Sequence, residues 1–169
     1  MILLLMRHGI AAEREFWKRD DALRPLTEIG KQKTREAARG LSTRVARVDL
    51  IASSPLLRAS QTAEIARDFY NEAKMETWDE LENAEYSALC ARLCKVPDDA
   101  TALLIGHEPG LSTFASSLIG GTNSLPRAWK KAGVCALEFD YAFDCPYATL
   151  KWYATPKTLR ALAANNPEK

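Results

Sequence analysis

Short apolar runs alternate with stretches of helical periodicity along most of the chain. The two strongest runs, Ile2 to Met6 and Ala102 to Ile105, contain no polar residue, and each is followed closely by a histidine. A parallel strand that is buried on both faces gives such a continuous run, because neither of its faces meets water. The alternation therefore predicts a three-layer α/β/α fold, in which a mixed, mostly parallel sheet carries helices on both faces.

Periodicity and turn residues set the expected limits of the other elements. Four further strands are predicted, with the last two as an antiparallel pair: Val48 to Ala52, Met75 to Trp78, Val134 to Phe139 and Ala148 to Tyr153. Helices are predicted at Thr27 to Arg44, Leu56 to Tyr70, Glu85 to Lys95 and Leu111 to Ile119. Thr27 is the expected N-cap of the first helix, and Pro55 suits the first turn of the second. Nothing resembles a linker or a repeat, so residues 1–169 should form a single domain.

The charge balance argues against a global electrostatic field as the basis of function. The chain has 23 basic and 22 acidic residues, which gives a formal net charge of +1. A strongly basic protein would favour nucleic acid or a membrane surface, and neither partner is expected here. The apolar stretch before Arg7 is also too short for a secretory signal or a membrane span. We therefore expect a cytoplasmic, monomeric protein that recognises anions only locally.

The four cysteines do not indicate a metal site. Cys90, Cys94, Cys135 and Cys145 include no CxxC pair, and the chain has only two histidines to add to them. Their expected role is that of buried thiols in a reducing compartment. No metal ion or other cofactor is therefore predicted.

Residues suited to phosphate chemistry follow three of the predicted strands. Arg7, His8 and Gly9 follow the first; Arg58 lies in the first helical turn after the second, and His107 follows the other strong apolar run. The carboxyl ends of parallel strands meet at one edge of a sheet, where α/β proteins bind ligands. Histidine can act as a nucleophile near neutral pH, and arginine presents a permanent fork of donors to phosphate oxygens. We expect these residues to surround a phosphoryl group placed over His8, with Gly9 leaving room beside it for the ligand.

The order and spacing of these residues resemble the histidine phosphatase superfamily, and most closely its small SixA-type protein-histidine phosphatases. The matching segments are Met6-Arg7-His8-Gly9, Arg24-Pro25-Leu26-Thr27, Ser54-Pro55-Leu56-Leu57-Arg58-Ala59 with Gln61 and Thr62, and Gly106-His107. The resemblance implies a phosphoglycerate-mutase-like fold and a reaction in which the first histidine, His8, is phosphorylated. It also implies that Arg7, Arg58 and His107 form the phosphate pocket, and that Arg24 lies close enough to contact the substrate.

One position departs from the pattern of the larger, mutase-like relatives. Those proteins have a glutamate general acid in the segment that resembles Leu81 to Leu89, where this chain has Asn83. Glu80, Glu82 and Glu85 lie nearby but are displaced, and a shift of one residue would restore Glu82 as the acid. Without an acid, departure of a poor alkoxide leaving group is slower by about a hundredfold to ten-thousandfold. The expected substrate is therefore a phosphohistidine on a phosphoprotein, because its imidazole departs readily once protonated.

Three other interpretations stay open from the sequence. A small-molecule phosphomonoesterase or a phosphoglycerate-mutase-like enzyme, acting on a small phosphate ester, would share the pocket but would require a general acid. A phospho-binding module without turnover would bind phosphate and release no product. A structural protein would not bind phosphate at all.

Several neighbouring residues also have ordinary structural explanations. Ser53 and Ser54 suit the role of N-cap residues, and they are not assigned to catalysis. The segment Trp129 to Lys131 forms a small basic and aromatic patch that a solvated helix end would explain equally well. The charged loop from Glu13 to Arg19 lies beside the predicted pocket, where it either selects substrates or is simply solvated.

Overall fold

Within residues 1–120, 128–140 and 147–165, which this computed structural model describes, six strands form one sheet. The strands are β1 (Ile2–Arg7), β2 (Leu50–Ser53), β3 (Lys74–Thr77), β4 (Thr101–Gly106), β5 (Val134–Asp140) and β6 (Tyr147–Ala154). Their spatial order is β3-β2-β4-β1-β5-β6, in which the first four are parallel and β5 and β6 continue antiparallel. The predicted mixed, mostly parallel sheet is confirmed, including the antiparallel pair at its end.

Helices cover both faces of this sheet in the same part of the chain. They are α1 (Glu28–Arg44), α2 (Leu57–Arg67), α3 (Tyr86–Leu93), α4 (Gly110–Leu118) and α5 (Pro156–Ala164). Side chains of β1 alternate between the faces, as strand geometry requires. Leu3 and Leu5 enter a buried cluster with α3 and α4, whereas Leu4 and Met6 enter a second cluster with α1, α2 and α5. The three-layer prediction is thus confirmed, and no described helix is both long and apolar enough to cross a membrane.

The limits of α2 differ from the predicted ones at both ends. Pro55 lies outside the helix, because Leu56 is its N-cap and has an extended backbone. At the other end, α2 stops at Arg67, although the apolar pattern continues to Tyr70. Tyr70 is nevertheless buried, since it packs into the core from the turn that follows the helix. The apolar pattern therefore extends past the end of the helix, because Tyr70 of the following turn is buried too.

The helix α5 was not predicted. It begins after Thr155, whose hydroxyl accepts the amide of Thr158, and Pro156 occupies its first turn. It packs closely on α1 at Gly40, where a Cβ would collide with the backbone carbonyl group of Leu159. This close approach of two helices is therefore available only to glycine.

Two residues lie differently from the sequence expectation. Cys90 and Cys135 are buried thiols as predicted, but Cys94 is exposed, because it is the C-cap of α3 and lies beyond the buried side of that helix. Cys145 falls outside the described residues. Trp129 is fully buried in the segment before β5, whereas Lys130 is exposed, so a solvated helix end, one of the two explanations left open, does not account for Trp129.

Candidate active site

The strand order brings the three predicted segments to one edge of the sheet. β4 lies between β1 and β2, so His8, His107 and the start of α2 are neighbours. The amide of His8 donates to the carbonyl oxygen of Gly106 (3.1 Å), and the amide of Ser54 donates to that of Ile105 (3.0 Å). The centroids of the two imidazole rings are 5.0 Å apart. Backbone hydrogen bonds at the ends of neighbouring strands therefore fix the position of both histidines.

His8 is held as a neutral ring with one nitrogen available. It is 6% exposed, and burial, followed by the neighbouring His107 and the arginine charges, lowers its pKa to about 3. Its Nδ1 lies 2.7 Å from the carbonyl oxygen of Gly9, which can only accept, so Nδ1 carries the proton. Nε2 therefore keeps its lone pair at neutral pH, which is the state that a nucleophile requires.

Gly9 has a packing role in place of the ligand-approach role expected from the sequence. A Cβ at this position would collide with the Oγ1 of Thr34 in α1, so α1 occupies the space next to Gly9. The amide of Gly9 donates to the Oγ1 of Thr62 (3.0 Å), whose hydroxyl donates to the carbonyl oxygen of Arg58 (2.7 Å). These bonds tie the segment that carries His8 to the helix that carries Arg58.

His107 is tied to the start of α2 through Ser54. Its Nε2 lies 2.7 Å from the Ser54 hydroxyl, which also accepts the amide of Leu56 (3.2 Å). His107 is 8% exposed, and burial, followed by the Arg58 charge, lowers its pKa to about 4, so this ring is neutral as well. Ser54 is fully buried, and Leu56 rather than a serine is the N-cap of α2. Ser54 is thus a site residue that the N-cap interpretation missed.

Two arginines supply positive charge to the site. Arg7 donates from Nη1 to the carbonyl oxygen of Trp129 (2.5 Å), and Arg58 donates from Nη1 to that of Asp21 (2.9 Å). The Arg58 side chain is 7% exposed, and its Nη2 lies 3.1 Å from Asp21 Oδ2. A guanidinium group has five N–H donors, so both arginines retain N–H groups that can donate hydrogen bonds to phosphoryl oxygens.

Asp21 is the counter-ion of Arg58, and the sequence analysis did not anticipate it. Its Oδ1 accepts from Arg24 Nε (2.8 Å), and this bond, with the charge of Arg58, lowers the pKa of the Asp21 carboxyl. Arg24 Nη1 also donates to the carbonyl oxygen of Ala12 (2.8 Å). Arg24 thus holds the carboxylate that positions Arg58, and its contact with substrate stays a prediction. The three-residue spacing of Asp21 and Arg24 is a local sequence signal for the Asp21–Arg24 ion pair, whereas no local signal links Asp21 to Arg58.

Two of the three glutamates considered as general acids are engaged elsewhere. Glu80 accepts from the Nε of Arg92 (3.1 Å). The carboxylate of Glu85 caps α3 by accepting the amides of Ser87 (3.1 Å) and Ala88 (2.7 Å). The pKa of Glu80 is lowered first by a hydrogen bond with its own backbone and then by Arg92, and the pKa of Glu85 is lowered by the two capping amides, so both carboxyls are held in their ionised form. Neither is therefore suited to donate a proton.

Two other carboxyls line a cavity next to His107. Its volume is about 300 Å³, and Glu82, Asn83 and Glu108 line it together with His107. Glu108 Oε2 accepts from the Ser112 hydroxyl (2.6 Å), while Oε1 is buried without a hydrogen-bond partner among the described residues. Burial raises the pKa of the Glu108 carboxyl, which favours the protonated form that an acid catalyst needs. Glu108 was missed because only the folded chain shows its burial.

The loop from Glu13 to Arg19 is mostly solvated. Phe16 at its centre is 80% exposed. The loop contacts the site through Arg14, whose Nε lies 4.0 Å from Asp21 Oδ1. The loop therefore lies next to the Asp21–Arg58 pair. Among the described residues, no hydrogen bond or ion pair joins the loop to His8.

The assembled site has side chains suited to phosphoryl transfer. Two neutral imidazoles lie together at the sheet edge, close enough to two arginines for the arginine charges to lower the pKa of His8. Phosphoryl transfer depends mainly on positioning and on positive charge placed in advance, which this arrangement supplies. Among the described residues, no cluster of three or more histidines, cysteines or carboxylates is suited to hold a metal ion.

Comparison with known proteins points to the same chemistry. Residues 3–93 match the model of the histidine phosphatase superfamily (branch 1). An uncharacterized protein of Picosynechococcus sp. is 34% identical over 143 residues, which cover 82% of this chain and 85% of that protein. Phosphohistidine phosphatase SixA of Escherichia coli strain K12 is 27% identical over 168 residues, or 97% of this chain and 99% of that protein. The structure of the protein histidine phosphatase SixA complexed with tungstate gives a TM-score of 0.81 at 26% identity, over 94% of this chain and 99% of that one.

Proposed function

Because the chain belongs to the histidine phosphatase superfamily and is a phosphatase, we propose that it hydrolyses phosphohistidine on a phosphoprotein through a phosphorylated His8. The observation that carries the proposal is the neutral His8 ring, whose Nδ1 proton is bound by the Gly9 carbonyl and whose Nε2 is free. The similarity to phosphohistidine phosphatase SixA, over nearly the whole of both chains, supports the substrate class.

The reaction proceeds in two steps at phosphorus. In the first, Nε2 of His8 attacks in line with the leaving group, while Arg7, Arg58 and His107 hold the phosphoryl oxygens. A P–N bond forms to His8 as the P–N bond of the substrate breaks, and the leaving imidazole takes up a proton from solvent. In the second step, water attacks phosphorus and loses a proton to solvent, and the bond to His8 breaks to release inorganic phosphate and the neutral His8 ring. The arginines stabilise the charge on the phosphoryl oxygens in both steps.

The position of Asn83 favours a phosphohistidine over a phosphate ester. Asn83 lines the cavity beside His107, and an amide cannot protonate a leaving alkoxide as a carboxylic acid can. An imidazole leaving group needs less help, because its own nitrogen accepts the proton readily. A small-molecule phosphomonoesterase is the second candidate, and it is favoured by Glu82 and Glu108 in the same cavity.

Turnover of matched substrates tests the proposal. The wild-type protein should hydrolyse a phosphohistidine peptide with a kcat/KM at least about tenfold above that for sugar phosphates and phosphoglycerate, because an imidazole leaving group depends less on a general acid than an alkoxide does. Preference for the esters would instead establish the second candidate. Phosphate binding without turnover of any substrate would indicate a phospho-binding module, and EDTA should leave all rates unchanged.

The phosphoenzyme is tested separately. Radiolabelled substrate should leave an acid-labile, alkali-stable label on the wild-type protein and none on His8→Ala, which should have no turnover. His8→Asn, which keeps a polar side chain of moderate size, controls for loss of the fold and should also be inactive. Full activity in either variant would refute the role of His8.

A further inference from the structure

A groove next to the candidate active site is lined by cations and, among the described residues, by no carboxylate. Its volume is about 470 Å³, and the cations are Arg7, Lys33, Lys130, Lys131 and Arg160. The whole chain has nearly equal numbers of basic and acidic residues, so this segregation of charge is local. We call the surface formed by these five residues the cationic groove.

The cationic groove lies next to the segment that carries His8. Arg7 and Ile10 both line it, and in sequence they flank the His8–Gly9 pair. Ala132, which also lines it, has its amide 3.0 Å from the carbonyl oxygen of Arg7 and 3.1 Å from that of His8. The groove therefore adjoins the backbone segment that carries His8.

Polar groups of the groove have few partners within the described part of the chain. Thr34 lines the groove and is fully buried, yet its Oγ1 has no hydrogen-bond partner there. Arg160 has one acid, Glu36, and that pair is long at 3.9 Å. The lysines that form ion pairs among the described residues lie elsewhere: Lys31, Lys74 and Lys151. Cations grouped in this way repel one another, and a bound anion relieves the repulsion.

We propose that the cationic groove binds an acidic polypeptide segment next to the phosphohistidine of the substrate, an inference that rests on the proposed function. A single phosphate is bound by donors that converge on one point, as they do around His8. The groove instead takes its charges from four separate segments, which are the end of β1, α1, the segment before β5, and α5. Lysine is a flexible point charge whose apolar stem can cover a peptide backbone. This surface fits successive aspartate or glutamate side chains.

Two synthetic phosphohistidine peptides of equal length test this inference. One carries aspartate and glutamate on both sides of the phosphohistidine, and the other carries asparagine and glutamine at the same positions. The wild-type protein should have a kcat/KM for the acidic peptide about threefold to tenfold above that for the neutral one, and added salt should reduce the difference. The double variant Lys130→Gln, Lys131→Gln should lose this preference through a higher KM and keep its rate on the neutral peptide. Lys157→Gln, which changes an exposed lysine of α5 outside the groove, is the matched control and should keep the preference.

The outcomes separate this inference from the proposed function. Equal hydrolysis of both peptides by the wild-type protein, or an unchanged preference in the double variant, would overturn the inference alone. If the double variant unfolds at a lower temperature, Lys33→Gln on the opposite wall takes its place with the same expectation. If the wild-type protein hydrolyses neither peptide, the proposed function is wrong. In that case, binding of the unphosphorylated acidic peptide tests whether the cationic groove binds acidic segments. Equal affinity of the wild-type protein and the double variant would overturn the inference.

Discussion

Acidification should destabilise this protein through its two buried histidines. In the unfolded chain their pKa is near 6.5, whereas the folded protein lowers the pKa of His8 to about 3 and that of His107 to about 4. As the pH falls below 6.5, the unfolded chain binds protons that the folded protein does not bind. The free energy of unfolding is therefore highest above pH 6.5 and decreases as the pH is lowered. Between pH 8 and pH 5 each histidine should lower the free energy of unfolding by about 2 kcal/mol, and both together by about 4 kcal/mol. That loss is a large part of the free energy of unfolding of a typical domain, which is about 5 to 15 kcal/mol.

Urea unfolding measures this effect directly. The free energy of unfolding is determined at pH 8, 6.5 and 5 from tryptophan fluorescence, for the wild-type protein, His8→Asn and His107→Asn. The loss between pH 8 and pH 5 should be smaller by about 2 kcal/mol in each variant, because one histidine no longer titrates. Carboxylates contribute equally to all three proteins and cancel in the comparison. An identical loss in wild type and variants would show that the folded protein does not hold these rings neutral, and the assignment of His8 Nε2 as the free nucleophile would fail with it.

Three further changes probe the residues around the site and the helix pair. Asp21→Asn removes the counter-ion of the buried Arg58, and we expect unfolding free energy to fall by about 1 to 2 kcal/mol and kcat/KM by about tenfold, as measured by urea unfolding and steady-state kinetics. Glu108→Gln should lower kcat on phosphate esters by about a hundredfold while leaving the melting temperature nearly unchanged; an unchanged kcat would exclude Glu108 as proton donor. Gly40→Ala should destabilise the protein by about 3 kcal/mol in thermal unfolding, because the new Cβ collides with the Leu159 carbonyl group, and a stable variant would contradict that contact.

The sequence predicts best those elements whose buried positions form a simple pattern along the chain. β1 and β4 lie in the middle of the sheet and are buried on both faces, so their apolar runs are unbroken. The helix α5 has only two buried residues, Leu159 and Ala163, and its stability comes from close packing on α1. That packing depends on the missing side chain of Gly40 in another helix, which no local pattern in α5 reveals.

Site residues divide in the same way between local signals and contacts made only in the fold. Strand ends and a spaced motif predict where His8 and His107 should lie, since each comes one residue after an apolar run. Asp21 meets Arg58 across 37 positions of sequence, and Ser54 meets His107 across 53. Such partners are chosen by the topology of the sheet, so the residues that position the arginine and the second imidazole could not be predicted from spacing.

The geometry separates the nucleophile from the charge that holds the phosphoryl group. His8 and His107 are neutral because they are buried next to two arginines, and the same arginines provide the positive charge for phosphate. Binding of the phosphoryl dianion therefore does not require a protonated histidine, and attack by His8 is not lost when the pH moves within the neutral range. Only protonation of His8 itself, near pH 3, would block attack, and by that pH the fold has already lost the stability that the neutral rings provide. We therefore expect the acid limit of activity to coincide with acid unfolding of the protein rather than with titration of the nucleophile in an intact fold.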